Sequence, residues 1–297
     1  MPAAAAGCRT IAVPDPESAT PIPIVVLYPA DAPAHPTRLG PYTLDVAMDA
    51  PVAAGTYPLV LVSHGSGGSH LAYRDLAAHL ARAGFVAALV EHPGNSRNDN
   101  SRVDTEANLA ARPRHLRLVV DHLTADVAVG PHLAPDAVAI VGHSMGGYTA
   151  LAAAGGRPTA FPRETADGMS REVPVPRDPR VRALVLLAPA TPWFMAPGAL
   201  RDVRVPILML TAEHDPHTPE GHAVIVKRGL PPETPLTHRV VPNAGHFSFL
   251  GPFPPAMTHA GFAPSQDPPG FDRAAFHAEL HGEVEGFLRG VFGSATL

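Results

Sequence analysis

The chain has 297 residues, of which 45% are hydrophobic and 16% are charged, and its formal net charge at pH 7 is −5. A chain of this length and apolar content can bury a large core, and its weakly acidic net charge gives no indication of a basic surface for nucleic acid. The single cysteine, Cys8, excludes an internal disulfide framework and a cysteine-based metal cage. No apolar run approaches the roughly 18 residues that a membrane helix needs, so we expect no membrane partner.

The amino-terminal residues, MPAAAAGCRT, have small side chains before Cys8 but no basic leader and no apolar stretch of roughly 7–15 residues typical of a signal peptide. We therefore expect a cytoplasmic protein, with a secreted form whose leader has been removed as the alternative. The sequence gives no indication of the oligomeric state.

Seven short apolar runs have the length and the Val, Leu and Ile content of buried strands. In chain order they are 22–29, 57–65, 85–94, 136–143, 181–190, 205–215 and 236–246. Helical patterns alternate with them: 71–84 ends at Gly84, a second has Pro113 in its first turn, and the last begins at about Phe271. This alternation predicts an α/β fold with a mostly parallel central sheet and helices on both faces.

The 36 prolines cluster in 31–41, 171–179 and 251–270, which we interpret as loops. None of these segments separates two halves of different composition. We therefore expect one domain over 1–297, with a core at about 22–292 and loop excursions at 156–180 and 251–270. The polar, proline-rich segment 156–180 predicts a small loop-rich cap and not a hydrophobic lid.

Ser144 lies in the sequence GHSMG, residues 142–146, between a predicted strand and an alanine-rich helix. In that setting the G-x-S-x-G pattern is typical of a nucleophile elbow, a sharp turn that exposes a reactive serine above the sheet. The alternative is a serine that only caps the helix. We predict that Ser144 is the nucleophile of an acyl-transfer reaction.

A nucleophilic serine needs a base, and the base needs an orienting acid; in this arrangement both follow the serine in the order acid, then histidine. Asp215 follows one predicted strand and His246 follows the next. Among 17 histidines, only His246 is late in the chain, in a loop and preceded by glycine. Glu213 is the competing acid; we favour Asp215 because Asp215-Pro216 opens the turn.

Acyl transfer also needs backbone donors for the developing oxyanion. One is expected to be the N–H of Met145, directly after the nucleophile, and the other the N–H of Ser66 in the loop of LVSHGSGGSH, 61–70. The alternatives are an ordinary glycine-rich turn or a phosphate-binding loop, but no G-K-[ST] or G-x-G-x-x-G pattern is present. His64 is expected to brace this loop and not to react.

The segments PLVLVSHGSGG, AGFVAALVEHPGNS and GHSMGGYTA resemble those of bacterial proteins termed dienelactone hydrolase-like or platelet-activating-factor acetylhydrolase-like, within the α/β-hydrolase superfamily. The resemblance covers about 22–292 and implies hydrolysis of carboxylic esters through an acyl-enzyme, with no metal or other cofactor. Dienelactone hydrolases have cysteine at the elbow. Ser144 in that place favours an ordinary serine esterase.

The expected partner is a small, soluble ester with a short or medium acyl chain. Side chains in loops after the strands either line its pocket or pack in the core: Tyr73, Trp193, Phe194, Met195 and Phe247. His277 and His281 are four residues apart, but the glutamate between them has the wrong spacing for a zinc protease. Two alternatives remain open: an acyltransferase or amidase with the same acyl-enzyme, and a binding protein without turnover.

Overall fold

The structure is a computed structural model and describes residues 5–293. The strands are β1 (Ala5–Val13), β2 (Ile22–Ala30), β3 (His35–Leu39), β4 (Tyr42–Met48), β5 (Tyr57–Ser63), β6 (Val86–Val90), β7 (Leu133–His143), β8 (Thr159–Ala160), β9 (Arg171–Glu172), β10 (Val181–Leu187), β11 (Ile207–Ala212) and β12 (Leu236–Val241). The helices are α1 (Arg74–Arg82), α2 (Glu106–Ala125), α3 (Met145–Ala153), α4 (Gly221–Gly229) and α5 (Arg273–Phe292).

Ten of the strands form one sheet in the order β12-β11-β10-β7-β5-β6-β2-β1-β4-β3. The six strands from β12 to β6 pair in parallel, whereas β2 pairs antiparallel with both β6 and β1. The mostly parallel sheet predicted from the sequence is therefore confirmed. All seven predicted strands are present, and the carboxyl ends of the parallel ones meet at one edge of the sheet.

Alternate residues of the buried strands face two separate cores. On β5, Leu59 and Leu61 pack with α2, α3 and α4, while Val60 and Val62 pack with α1 and α5. This is why the strands read as nearly continuous apolar runs: a parallel strand covered on both faces has no solvent side. The prediction of helices on both faces is confirmed.

Three strands of the ten-stranded sheet were not predicted, and this sheet begins before residue 22, the expected start of the core. β1 pairs with β2 along its whole length, and β4 pairs with β1 and β3. The interpretation of 31–41 as a loop is wrong for His35–Leu39, which form β3. This strand is largely exposed at the edge of the sheet, where a proline such as Pro36 and polar side chains are tolerated.

The helix α2 begins earlier than predicted, so Pro113 lies inside it and not in its first turn. Thr105 caps its start by accepting a hydrogen bond from the Asn108 N–H. Proline has no N–H to give to the carbonyl four residues before it, which is that of Leu109. The Tyr148 hydroxyl donates to this carbonyl at 2.9 Å, so a buried side chain from α3 replaces the missing bond.

Within residues 5–293, no helix is long and apolar enough to span a membrane. The excursion 156–180 contains the two-stranded pairing of β8 with β9, and the segment 251–270 has only short 3-10 turns. Both excursions lie beside the carboxyl edge of the sheet, because Glu164 of the first and Pro264 of the second border cavities that contain Ser144.

Candidate functional site

Ser144 occupies the sharp turn between β7 and α3. Its backbone has φ of 53° and ψ of −117°, a left-handed conformation that costs a non-glycine residue on the order of 1–3 kcal/mol. The turn is held by backbone bonds: the Ser144 N–H donates to Leu187 O at 3.0 Å, and its carbonyl accepts from Gly147 and Ala190, both at 2.9 Å. The strain is therefore imposed by the two flanking elements and places the side chain above the sheet edge.

The glycines on either side of Ser144 are required by close backbone contacts. A Cβ on Gly142 would lie 2.1 Å from the Gly146 carbonyl oxygen. A Cβ on Gly146 would lie 1.9 Å from the carbonyl oxygen of Ser63, at the end of β5. Any side chain at these positions would open the turn, which is the physical reason for the G-x-S-x-G pattern.

Asp215 and His246 come together from the loops after β11 and β12. His246 Nδ1 lies 2.7 Å from Asp215 Oδ2, and both residues are buried. The second carboxylate oxygen accepts from the N–H groups of His217 and Thr218, each at 2.8 Å, and the Thr218 hydroxyl donates to Oδ2 at 2.6 Å. The carboxylate is thus fixed by four donors.

These bonds define the charge and tautomer of the pair. Burial raises the pKa of Asp215, but the hydrogen bond and charge of His246 and the bonds from Thr218 outweigh it and hold that pKa well below its usual value. An ionised carboxylate only accepts, so a proton lies on His246 Nδ1. Glu213 is exposed and accepts from the Asn243 N–H at 2.7 Å, away from this pair.

His246 and Ser144 border the same cavity, of about 360 Å³. Among the hydrogen bonds of residues 5–293, none joins the Ser144 hydroxyl to His246. Bonds of this kind are commonly long before substrate binds and shorten in the complex. The structure thus places Ser144 and His246 at one cleft, with Asp215 bonded to His246.

The loop after β5 forms the opposite wall of the cleft. Ser66 borders the same cavity as Ser144, and the turn is closed by the Gly68 N–H donating to Gly65 O at 3.1 Å. Met145 is the first residue of α3, so its N–H has no acceptor within the helix. In the part of the chain that the structure describes, neither the Ser66 N–H nor the Met145 N–H donates to another backbone group.

His64 supports this loop, as predicted. Its Nδ1 donates to the Gly65 carbonyl at 2.7 Å, and its Nε2 accepts from the His92 N–H at 3.1 Å. The ring is fully buried, and burial followed by the charge of Arg112 lowers the pKa of His64 well below its ordinary value. His64 is therefore a neutral ring whose two nitrogens are already used, and the expectation that it braces the loop is confirmed.

A buried arginine that sequence reasoning missed connects the loop to the segment 91–99. Arg112 donates to Asn95 Oδ1 at 2.7 Å, to Thr149 Oγ1 at 2.9 Å and to the His64 carbonyl. Asn95 in turn donates to Ser66 Oγ at 2.9 Å. The segment 91–99, EHPGNSRND, thus supports the loop that carries Ser66. The only sequence signal for it is the cluster of polar residues after a buried strand.

His143, directly before Ser144, was also missed. Its Nε2 donates to the His246 carbonyl at 2.9 Å, and the two rings lie 4.8 Å apart. Burial, followed by the charge of His246, lowers the pKa of His143 to about 3. A neutral His143 therefore fixes the backbone of the histidine that faces the serine.

A second, smaller cavity of about 120 Å³ lies on the other side of Ser144. Trp193 borders it, while Tyr73 and Phe247 border the larger cavity. The other two predicted pocket residues border neither. Phe194 stacks on Tyr148 in the core at 5.6 Å, and Met195 is 59% exposed, because the turn after Pro192 directs them away from the cleft.

The family model of the alpha/beta hydrolase fold matches residues 58–205, which include β5, the elbow and β10. Cutinase est1 of Thermobifida alba is 26% identical over 196 residues, 65% of this chain and 54% of that protein. Bis(hydroxyethyl) terephthalate hydrolase of Streptomyces coelicolor is 27% identical over 195 residues, 65% of this chain and 52% of that protein. The chain thus spans about half the length of these relatives.

Solved structures match nearly the whole chain. Ferulic acid esterase from Streptomyces cinnamoneus has a TM-score of 0.71 and 21% identity, covering 97% of this chain and 89% of that one. A dienelactone hydrolase-like promiscuous phosphotriesterase from metagenomic libraries has a TM-score of 0.62 and 18% identity, covering 97% and 100%. The likeness to platelet-activating-factor acetylhydrolases stays a prediction. Strand order, elbow and matches together identify the chain as a protein of the α/β-hydrolase fold.

Proposed function

We propose that the protein hydrolyses small carboxylic esters through an acyl-enzyme on Ser144. The observation that carries this proposal is the strained Ser144 turn beside a cavity that also contains His246, whose ring is held by the ionised Asp215. A strained backbone at one residue, imposed by a strand and a helix, is typical of a site where a reactive side chain must be presented. The resemblance to cutinases and other ester hydrolases gives the reaction class.

In the first half of the reaction, His246 Nε2 takes the proton of the Ser144 hydroxyl as Oγ bonds to the ester carbonyl carbon. The carbonyl oxygen becomes an oxyanion and accepts from the N–H groups of Ser66 and Met145. The intermediate then expels the alcohol oxygen, to which protonated His246 returns the proton. Asp215 keeps its negative charge throughout and stabilises the imidazolium.

In the second half, His246 takes a proton from water as the water oxygen bonds to the acyl carbon. The new oxyanion uses the same two backbone donors, and its collapse breaks the bond to Ser144 Oγ, which regains a proton from His246. The products are a carboxylic acid and free enzyme. Each step uses only groups of this chain and one water molecule, so no cofactor is invoked.

The size of the cleft favours short or medium acyl chains. The two cavities beside Ser144 measure about 360 and 120 Å³, and the excursion beside them is polar. A panel of p-nitrophenyl esters from acetate to palmitate tests this, with the Ser144→Ala variant as the blank. We expect kcat/KM to be highest for the shorter esters. Turnover that requires an added amine or alcohol would instead indicate an acyltransferase, and no turnover with any ester would contradict the proposal.

A further inference from the structure

The two cavities beside Ser144 differ in which catalytic groups border them. Ser144 and Ser66 border both, His246 borders only the larger, and Met145 only the smaller. If His246 returns its proton to the leaving alcohol, that alcohol must lie beside His246, in the larger cavity. The acyl group then extends into the smaller cavity, which we term the acyl lobe.

Several polar side chains border the acyl lobe. Asn108 is 4% exposed, and its side-chain amide forms no hydrogen bond with any residue that the structure describes. Glu164 and Trp193, in contrast, already have partners: Glu164 accepts from Trp193 Nε1 at 3.0 Å and from the Phe161 N–H at 2.7 Å. An amide that borders a cavity and has no protein partner is free to bond to a ligand group there.

The charges of the lobe restrict that group further. Glu164 and Asp104 contribute carboxylates, and no lysine, arginine or histidine borders the lobe. A carboxylate retains free lone pairs after two donors have bonded, so Glu164 can still accept from a ligand. A ligand hydroxyl can donate to Glu164 or Asn108 and accept from the Asn108 amide, whereas a ligand carboxylate would meet like charge.

The volume limits the acyl group to a short or medium one. Measured as the space open to the centres of water-sized groups, at roughly 10–15 Å³ for each, 120 Å³ holds about ten non-hydrogen atoms. Beyond its carbonyl carbon, a 3-hydroxybutyryl group has four such atoms, one of them a hydroxyl oxygen. We propose that Asn108 and the Glu164 carboxylate form a subsite for short hydroxyacyl groups, so that the preferred substrates are esters of small hydroxy acids. This inference rests on the proposed ester hydrolysis at Ser144.

The test compares benzyl esters that share one alcohol and differ only in the acyl group. We expect kcat/KM for the 3-hydroxybutyryl ester to exceed that of the isosteric 3-methylbutyryl ester about tenfold, and the malonyl half-ester to be the poorest substrate. Replacing the hydroxyl by a methyl group leaves Asn108 unbonded, which is the source of the difference. Preference for the 3-aminobutyryl ester over the hydroxy ester would overturn the assignment to a hydroxyl group.

Asn108→Leu, which keeps the volume but removes the amide, should reduce the tenfold ratio to near one. The matched control is Asn98→Leu, because Asn98 is exposed and borders neither cavity; its ratio should stay near ten. If Asn108→Leu does not fold by circular dichroism, Asn108→Ala replaces it. A ratio of one in the unsubstituted protein, with hydrolysis still dependent on Ser144, overturns the subsite alone. Hydrolysis that does not depend on Ser144 overturns the proposed function instead.

Discussion

Two groups of buried histidines lie on opposite sides of Ser144, and they differ in their bonding partners. His246 donates to the carboxylate of Asp215 and borders the open cleft. His64 and His92 lie behind the Ser66 loop, where they bond to a carbonyl and to the Ser63 hydroxyl, with Arg112 beside them. A histidine next to a carboxylate can accept a proton during a reaction, whereas one next to an arginine stays neutral and acts as a fixed support.

Arg112 makes the second group unusual. It is fully buried, and in the described part of the chain its bonds go to neutral oxygens and not to a carboxylate. Burial lowers the pKa of Arg112 to about 9, so it keeps its charge at neutral pH. Burial, followed by this positive charge, keeps both neighbouring rings neutral, and Arg112 orients the carbonyl and amide groups that hold the loop. The charge of Asp215 thus supports proton transfer at His246, whereas the charge of Arg112 holds the Ser66 loop in place.

The largest expected effect is on the side of His246. Ser144→Ala removes the nucleophile, and we expect turnover of p-nitrophenyl acetate to fall on the order of 10⁴–10⁶-fold with the fold intact. The unchanged far-ultraviolet circular dichroism spectrum is the control. A variant that keeps a tenth of the activity would show that another group attacks the ester.

The second largest effect is expected at Asp215, the orienting acid. Asp215→Asn should lower kcat on the order of 10⁴-fold, because an amide can hold the His246 ring in the wrong tautomer. Glu213→Gln is the matched control: Glu213 is exposed and bonds to Asn243, so we expect a change of no more than about twofold. If the Glu213 variant loses more activity than the Asp215 variant, the assignment of the acid is wrong.

A smaller effect is expected on the supporting side. Asn95 is a positioning residue, since it connects Arg112 to Ser66 without facing the substrate. Asn95→Ala should lower kcat on the order of 10–100-fold at nearly constant KM, because the Ser66 N–H loses its fixed direction.

Asn100→Ala removes only an exposed partner of the same Asn95 amide and serves as the control. Active-site titration distinguishes a lower kcat at each active site from a smaller fraction of active protein. A purely structural role for Asn95 would reduce the fraction of active protein and leave kcat per active site unchanged.

The neutral histidines predict how stability depends on pH. Burial lowers the pKa of His64 and His92 well below the ordinary value of 6.5, and that of His115 to about 3. The unfolded chain binds more protons than the folded one below pH 6.5, so stability is present above that pH and is lost as the pH falls toward the folded pKa values. At pH 5 each such histidine costs about 2 kcal/mol.

Urea unfolding at pH 7.5, 6.0 and 5.0 measures this loss. We expect the midpoint to fall steadily below pH 6.5, with the slope of the transition unchanged. Stability that is constant from pH 7.5 to 5.0 would mean that the rings behind the loop take up protons without unfolding. His64 and His92 would then not be fixed neutral supports of the Ser66 loop.

The features predicted from the sequence are those with a local cause. The elbow around Ser144 is defined by five consecutive residues, and the positions of Asp215 and His246 follow from the ends of two apolar strands. The sheet was predicted where strands are buried on both faces, and missed at β3, whose exposed edge position permits a polar, proline-containing sequence.

The features that were missed depend on contacts between distant parts of the chain. In the sequence, Arg112 is an ordinary arginine on a predicted helix. Only the fold places Asn95 and His64 around it. The directions of Phe194 and Met195 depend on a turn whose geometry their own sequence does not specify. The same is true of Asn108, which becomes a candidate for substrate binding only once the cavity beside Ser144 is known.

The most direct test of the central claim is the site of covalent labelling by a fluorophosphonate, measured by intact mass and peptide mapping. We expect one adduct, on Ser144, which is lost in Ser144→Ala and forms much more slowly in Asp215→Asn. An adduct on another residue, or none on a folded protein that hydrolyses esters, would contradict the role given to the strained serine.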